Sequence, residues 1–121
     1  MFKFVGADIV REDSEKFQLS YIPTEENKNA NGFVQGGISY LLCDEAVGRY
    51  VVGELGRAGA ASEGSIHYYR PAVIGEKMIA TLNVRKLGKK LGIFFVELTN
   101  EKGELIADSM FTVAFADADK Q

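Results

Sequence analysis

The sequence predicts an α+β fold in which a curled antiparallel sheet wraps one long central helix. Three observations carry this. One stretch, from Gly37 to about Leu55, places apolar residues at helical spacing around most of its circumference. The other structured stretches alternate apolar with polar residues or run in β-branched and aromatic ones, as strands do. Two such strands precede the helix and four follow it, and an antiparallel sheet of that order must curl to cover a helix that is apolar all round.

Gly6 to Arg11 and Lys16 to Ile22 read as two strands around the polar turn Glu12-Asp13-Ser14-Glu15. The second alternates Phe17, Leu19 and Tyr21 against Lys16, Gln18 and Ser20, the pattern of a half-buried hairpin. Pro23 ends it, and Thr24 to Gly32 is too polar and turn-rich to be anything but a loop. In the helix, Ile38, Leu41, Leu42, Ala46, Val47, Tyr50, Val51, Val52 and Leu55 supply the apolar surface, and Gly53 and Gly56 bracket its end, where glycine takes a left-handed cap without penalty. Ser62 to Arg70 is extended up to Pro71. Lys77 to Leu87 sets Met78, Ala80, Leu82 and Val84 on one dry face. Ile93 to Thr99 and Leu105 to Phe115 form a hairpin through Asn100-Glu101-Lys102-Gly103, with glycine available for positive φ. No internal repeat or linker interrupts this order, and 121 residues close one ordinary core but hardly two, so residues 1–121 are expected to form a single domain.

The formal charge of −3 excludes the strongly basic surface that nucleic-acid binding or a polybasic membrane tether requires. No run of about 18–20 apolar residues is present to span a bilayer. One cysteine, Cys43, forms no internal disulfide, and the start Met1-Phe2-Lys3-Phe4-Val5 lacks a signal-peptide core, so a soluble, reducing, cytoplasmic setting is expected.

Asp44 is the anomaly of the helix, a carboxylate among Leu41, Leu42, Cys43, Ala46 and Val47, where burial without a partner is costly. Glu45 and Arg49 form an ordinary i, i+4 pair that points about 100° away from it. Gly48, one turn on, leaves room beside the carboxylate for a ligand or a second chain. An Asp44 that is merely a partly exposed helix carboxylate is the plain alternative. Gly36-Gly37 opens the helix, where unpaired N–H groups and the positive end of the dipole meet and absent side chains let a carbonyl oxygen approach. That suits an oxyanion hole, although such a pair can also be only a turn. Gly36 and Asp44 lie about 12 Å apart along the helix at 1.5 Å per residue. One carbonyl cannot reach both, so if both act on one substrate they come from two subunits across a two-fold axis.

The run Asn29-Ala30-Asn31-Gly32-Phe33-Val34-Gln35-Gly36-Gly37-Ile38-Ser39-Tyr40-Leu41-Leu42-Cys43-Asp44 resembles the N-x-x-G-x-x-H-G-G-x(6)-D signature of phenylacetate-degradation-type hotdog thioesterases, within the 4-hydroxybenzoyl-CoA thioesterase superfamily. The likeness continues through Ser65 to Ala72, Gly75-Glu76 and Lys86 to Lys89, covering roughly residues 15–115. It implies a hotdog fold and hydrolysis of an aryl- or medium-chain acyl-CoA, with coenzyme A part of the substrate and no cofactor or metal. It also implies a homodimer paired through the strand matching Ser62 to Arg70, with a tetramer of two dimers also open.

Carried over residue by residue, the resemblance puts the nucleophile or general base on Asp44, the oxyanion glycine on Gly36 beside Gly37, and the orienting amide on Asn29, with Asn31 close by. The family histidine falls on Gln35, which can donate a hydrogen bond but cannot shuttle a proton. An assisting serine or threonine has its nearest match at Ala61, with Ser62 adjacent. Lys86, Gly88 and Lys89, in the basic turn Arg85 to Lys90, match the segment that meets coenzyme A phosphates. Tyr40, Val47, Tyr50 and Tyr68 are expected to set pocket depth, Tyr68 also as a substrate contact. His67 is the only histidine and reads as structural, since it has no companions for a zinc site. Cys43 reads as packing. A non-catalytic acyl-CoA sensor or carrier is the main rival reading, motivated by Gln35, and a hotdog dehydratase is a second.

Overall fold

The computed structural model describes the backbone of residues 8–10 and residues 16–117. The predicted turn Glu12 to Glu15, and the Gly6, Ala7 and Arg11 ends of the first predicted strand, lie outside the described residues. Strands β1 (Asp8–Val10) and β2 (Phe17–Tyr21) precede helix α1 (Gly36–Arg49), and β3 (Gly59–Tyr68), β4 (Met78–Leu87), β5 (Leu91–Thr99) and β6 (Leu105–Phe115) follow it. All pairings are antiparallel, in the order β1-β2-β4-β5-β6-β3. The sheet closes over α1, whose Leu42, Cys43, Ala46 and Val47 are buried against Leu19, Phe94, Val96, Leu98 and Phe111. Burial of each large apolar side chain stabilises by about 1.5–3 kcal/mol, so this helix-on-sheet contact contributes substantially to stability. The predicted α+β architecture is the one observed.

Several predicted boundaries move, each for a physical reason. The helix does not run on uniformly to Leu55. After Arg49 it widens into a π turn over Tyr50–Glu54, where Leu55 N–H donates to Tyr50 O at 3.0 Å. The widened turn lets the Tyr50 ring meet both Phe17 and Phe94 edge-on, at 5.5 and 5.9 Å between centroids. Of the two bracketing glycines, Gly56 takes the positive φ (63°) and Gly53 does not. Val84, predicted on the dry face of β4, is exposed, because β2 pairs with β4 only from Met78 to Leu82 and a bulge at Arg85 breaks the alternation just beyond. β3 begins at Gly59, before the predicted Ser62, and ends at Tyr68. The turn at Gly103 has the expected positive φ (81°).

The polar loop from Thr24 to Gly32 is less solvated than its composition predicts. Asn27 is buried, and its Oδ1 accepts hydrogen bonds from Tyr21 Oη and Thr24 N, each at 2.8 Å. Its backbone oxygen accepts from Gln35 N at 2.8 Å. Asn27 thus ties the end of β2 to the start of α1. Between them, Lys28 and Val34 bridge, and Gly32 turns the chain with φ 88°.

Candidate active site

The amino end of α1 is built by this loop. Gln35 is its N-cap in extended conformation and makes no side-chain cap, so no cap takes the Gly37 N–H, and the Gly36 N–H, first in the helix, has no intrahelical acceptor. Gly36 is partly buried and Gly37 is exposed. Tyr68, at the end of β3, reaches over the helix start and donates its hydroxyl to Gly36 O at 2.7 Å. The fit is close, since a Cβ at Gly36 would meet Tyr68 Oη at 3.2 Å. The phenol pKa is raised, first by partial burial and then by the nearby Cys43 and Tyr40, so Tyr68 remains a neutral donor.

Beside this helix end is a cavity of about 390 Å³ lined by Asn29, Asn31, Gly36, Ser39, Tyr68 and Arg70 among others. Asn29 Oδ1 accepts from Asn31 N at 2.9 Å and Phe33 N at 3.1 Å. That use of the oxygen leaves Nδ2 as the end of the amide with donor capacity for a ligand. Of the two amides considered, Asn29 is the one fixed by its own loop, and Asn31 is more exposed. Gln35 is exposed beside the same helix end.

Asp44 faces a second cavity, of about 630 Å³, lined with Glu45, Gly48, Val52, Gly53, Gly59 and Ala61. Behind it, Val47, Val51 and Val113 wall a small apolar recess of about 70 Å³ that Asp44 also lines. Glu45 is drawn aside by Arg49, 2.8 Å from it. Asp44 has no ion pair or hydrogen bond among the described residues, and its pKa is raised, first by burial and second by the charge of Glu45. A half-buried carboxylate without a partner, beside an open cavity, gains nothing in stability from its place and is open to a ligand.

The two cavities share no lining residue. The structure brings Gly36, Asn29 and Tyr68 together and, separately, Asp44 with Gly48 and Ala61. Ser62 lines neither. It sits at the bulge of β3, and its Oγ donates to Thr112 O at 3.3 Å. Tyr40 and Tyr50 line neither cavity and pack on the core instead, Tyr40 against Phe111 with ring centroids 5.3 Å apart. Of the four expected pocket-shaping side chains, Val47 and Tyr68 reach a cavity. The predicted basic turn Arg85 to Lys90 is shorter than expected, because Lys86 still pairs with Ile93 within β4; Lys86 is exposed on that strand, and Lys89 is exposed on the β4–β5 turn beside Gly88. That turn adjoins the rim of the Asp44 cavity, because Gly59 pairs with Phe115 and Phe115 N donates to Lys90 O at 2.9 Å.

His67 is exposed on β3, opposite Asp108 of β6. Cys43 is fully buried, and burial pushes its thiol up to about 11 against the lowering hydrogen bond of Ser109. A thiol so placed is no nucleophile. Among the described residues no cluster of His, Cys, Asp and Glu could hold a metal, and no helix is long and apolar enough to cross a membrane.

Known proteins share this fold and much of this sequence. The sequence profile of the thioesterase superfamily matches residues 31–107, which include Gly36, Asp44 and Tyr68. Acyl-coenzyme A thioesterase 13 of Mus musculus is 33% identical over 121 aligned positions, covering 93% of this chain and 86% of the relative. Acyl-coenzyme A thioesterase PaaI of Escherichia coli is 30% identical over 105, covering 87% and 74%. The solved structure of the E. coli PaaI protein from the phenylacetic acid degradation operon superposes with a TM-score of 0.81 at 27% identity, covering 88% of this chain and 81% of that one. With its sheet wrapped on one helix and its helix-start glycines and mid-helix carboxylate within the matched region, the chain belongs to the thioesterase superfamily, as a hotdog-fold enzyme of the PaaI type.

Proposed function

We propose that this protein hydrolyses an aryl- or medium-chain acyl-CoA to the free acid and coenzyme A, as a cytoplasmic homodimer whose two sites are each shared between subunits. The observation that carries the reading is the separation of the two halves of the chemistry. The uncapped amino end of α1 and the partnerless Asp44 lie about 12 Å apart on one helix and open into different cavities. In a shared site, the thioester carbonyl rests at the helix start of one subunit, polarised by Gly36 N–H with Gly37 beside it, while Asp44 of the other drives hydrolysis. Asp44 either attacks the carbonyl carbon directly, expelling the coenzyme A thiolate and leaving a mixed anhydride that water then cleaves to the free acid and the free carboxylate, or it takes a proton from a water that attacks the carbonyl. In both routes the C–S bond breaks and the coenzyme A thiolate leaves. That thiolate is a good leaving group, so Gln35, which cannot deliver a proton, suffices at the position where the signature this sequence resembles has histidine. Asn29 Nδ2 orients the water or the thioester, and Lys86, Gly88 and Lys89 receive the phosphates. No cofactor is required.

Pairing along β3 supports the dimer. It is a ten-residue edge strand, exposed along almost its whole length, and an unpaired edge of that length invites a second strand. The names of the E. coli and mouse relatives support the substrate class. A non-catalytic acyl-CoA binder is the second reading, favoured by Gln35 and by Ala61 at the position of the assisting hydroxyl. Thiol release across a panel of aryl- and fatty-acyl-CoAs separates the two. Hydrolysis that Asp44→Ala abolishes supports the enzyme, and binding without turnover, unaltered by Asp44→Ala, supports the binder.

A further inference from the structure

Arg57 follows the Gly56 turn at the end of the helix, and its backbone N–H donates to Val51 O at 3.0 Å. Its guanidinium lies 3.7 Å from the centroid of the Phe115 ring and grips Asp117 with two nitrogens, Nε at 3.2 Å and Nη2 at 2.9 Å. Its remaining donors reach the β4–β5 turn. Nη1 donates to Gly88 O at 3.0 Å and Nη2 to Lys89 O at 2.7 Å.

Gly88, Lys89 and Lys90 join β4 to β5, and Gly88 N donates to Leu91 O at 2.9 Å. The connection's carbonyls are fixed from outside it, those of Gly88 and Lys89 by Arg57 and that of Lys90 by Phe115 N. The peptides are trans, so each N–H points opposite to its C=O. With the Gly88 and Lys89 oxygens aimed at Arg57, the N–H groups of Lys89 and Lys90 are turned to the far side of a connection that carries two exposed lysines. Two consecutive backbone donors among cations are an anion-binding arrangement. Arg57 also cancels the nearby charge of Asp117, which would otherwise repel a phosphate.

We propose that Arg57 is a positioning residue that holds the Gly88–Leu91 turn in the one conformation that presents the Lys89 and Lys90 amides to a phosphate group of the substrate. The inference rests on the reading of this turn as the coenzyme A phosphate site. Nothing local in the sequence marks it, since Asp117 lies 60 positions away and the turn about 30.

The test compares one acyl group carried on coenzyme A and on N-acetylcysteamine, which has no phosphate. In Arg57→Gln the advantage in KM of the coenzyme A thioester over the truncated one is expected to shrink about tenfold, and Lys89→Ala is expected to reduce it as well. Arg57→Lys, which keeps the charge but not the fork, should fail to restore it. If Lys89→Ala reduces the advantage and Arg57→Gln leaves it at the wild-type value, the turn binds phosphate without help from Arg57 and the inference is overturned. If neither variant reduces it, the turn is not the phosphate site and both readings fall. Should Arg57→Gln not fold, amide NMR of the wild-type protein decides. Saturation with coenzyme A is expected to move the Lys89 and Lys90 N–H resonances downfield, and their staying in place overturns the proposal.

Discussion

Replacing Gly36 by proline removes one backbone N–H from the helix start while leaving a conformation that the helix accepts. Gly36 is the first residue of α1, the position where proline is best tolerated because its N–H has no helical partner. Gln35 before it already sits at φ −61°, ψ 135°, in the extended region to which a residue preceding proline is confined. The added Cβ would meet Tyr68 Oη at 3.2 Å and Cζ at 3.3 Å. The end of a flexible phenol can yield by a few tenths of an ångström, at a cost no larger than its hydrogen bond to Gly36 O, about 1 kcal/mol. Gly36→Ala incurs that same contact but keeps the N–H, so the difference between the two variants isolates the donor. Alanine is expected to lower kcat by at most about tenfold. Proline is expected to lower it a further 100- to 1000-fold, about 2.7–4 kcal/mol of transition-state stabilisation. Thiol-release kinetics read the effect, and a melting temperature close to wild type for both variants confirms that the fold is intact. Similar turnover in the two variants would refute Gly36 as the oxyanion donor.

Burial and Glu45 raise the Asp44 pKa, and the proposed mechanism uses the carboxylate form, so kcat/KM should fall with acid at a higher pH than a solvated aspartate would give. An acid limb at the ordinary aspartate position contradicts this. The sign for stability is the reverse of the usual carboxylate case: a raised pKa contributes stability at low pH that is lost as pH rises through the folded value. Asp44→Asn should therefore melt higher than wild type at neutral pH while losing turnover, and a lower melting temperature would show that the charge has a stabilising partner. Tyr68→Phe deletes the 2.7 Å hydrogen bond to Gly36 O and should cost about 1 kcal/mol in denaturant titration, with a fall in kcat of up to about tenfold. Cys43 should resist alkylation until the protein unfolds, given its burial and a thiol pKa near 11, and Cys43→Ser should retain turnover. Stoichiometric labelling of the native protein would contradict the packing role.

The parts of the fold legible in the sequence are those where one residue type decides. Alternation placed β2 and the first half of β4, because each has one face on the helix. The all-round apolar run placed α1, and Gly103 its turn. The start of β3 was not legible, since Gly59-Ala60-Ala61 has neither alternation nor β-branching and is exposed throughout. The π turn at Tyr50 arises from ring contacts with Phe17 and Phe94 that no local pattern encodes. In the site, Asp44 announced itself as a charge among apolar neighbours. The structural work of Asn27 and Arg57 did not, because in each case the partners are set by chain paths that only the folded molecule brings together. Ser62 was drawn in by adjacency to Ala61, yet the bulge of β3 turns it to Thr112.

Complementation between two inactive variants tests the shared site most directly. Gly36→Pro and Asp44→Asn chains, each inactive alone, are mixed in equal amounts, unfolded together and refolded. Half of the dimers are then hybrids, and in each hybrid one of the two sites combines an intact Gly36 with an intact Asp44 from the other subunit. About a quarter of wild-type activity should return. A mixture as inactive as its components would show that each subunit builds its site alone, and the account of two cavities joined across a two-fold axis would be wrong.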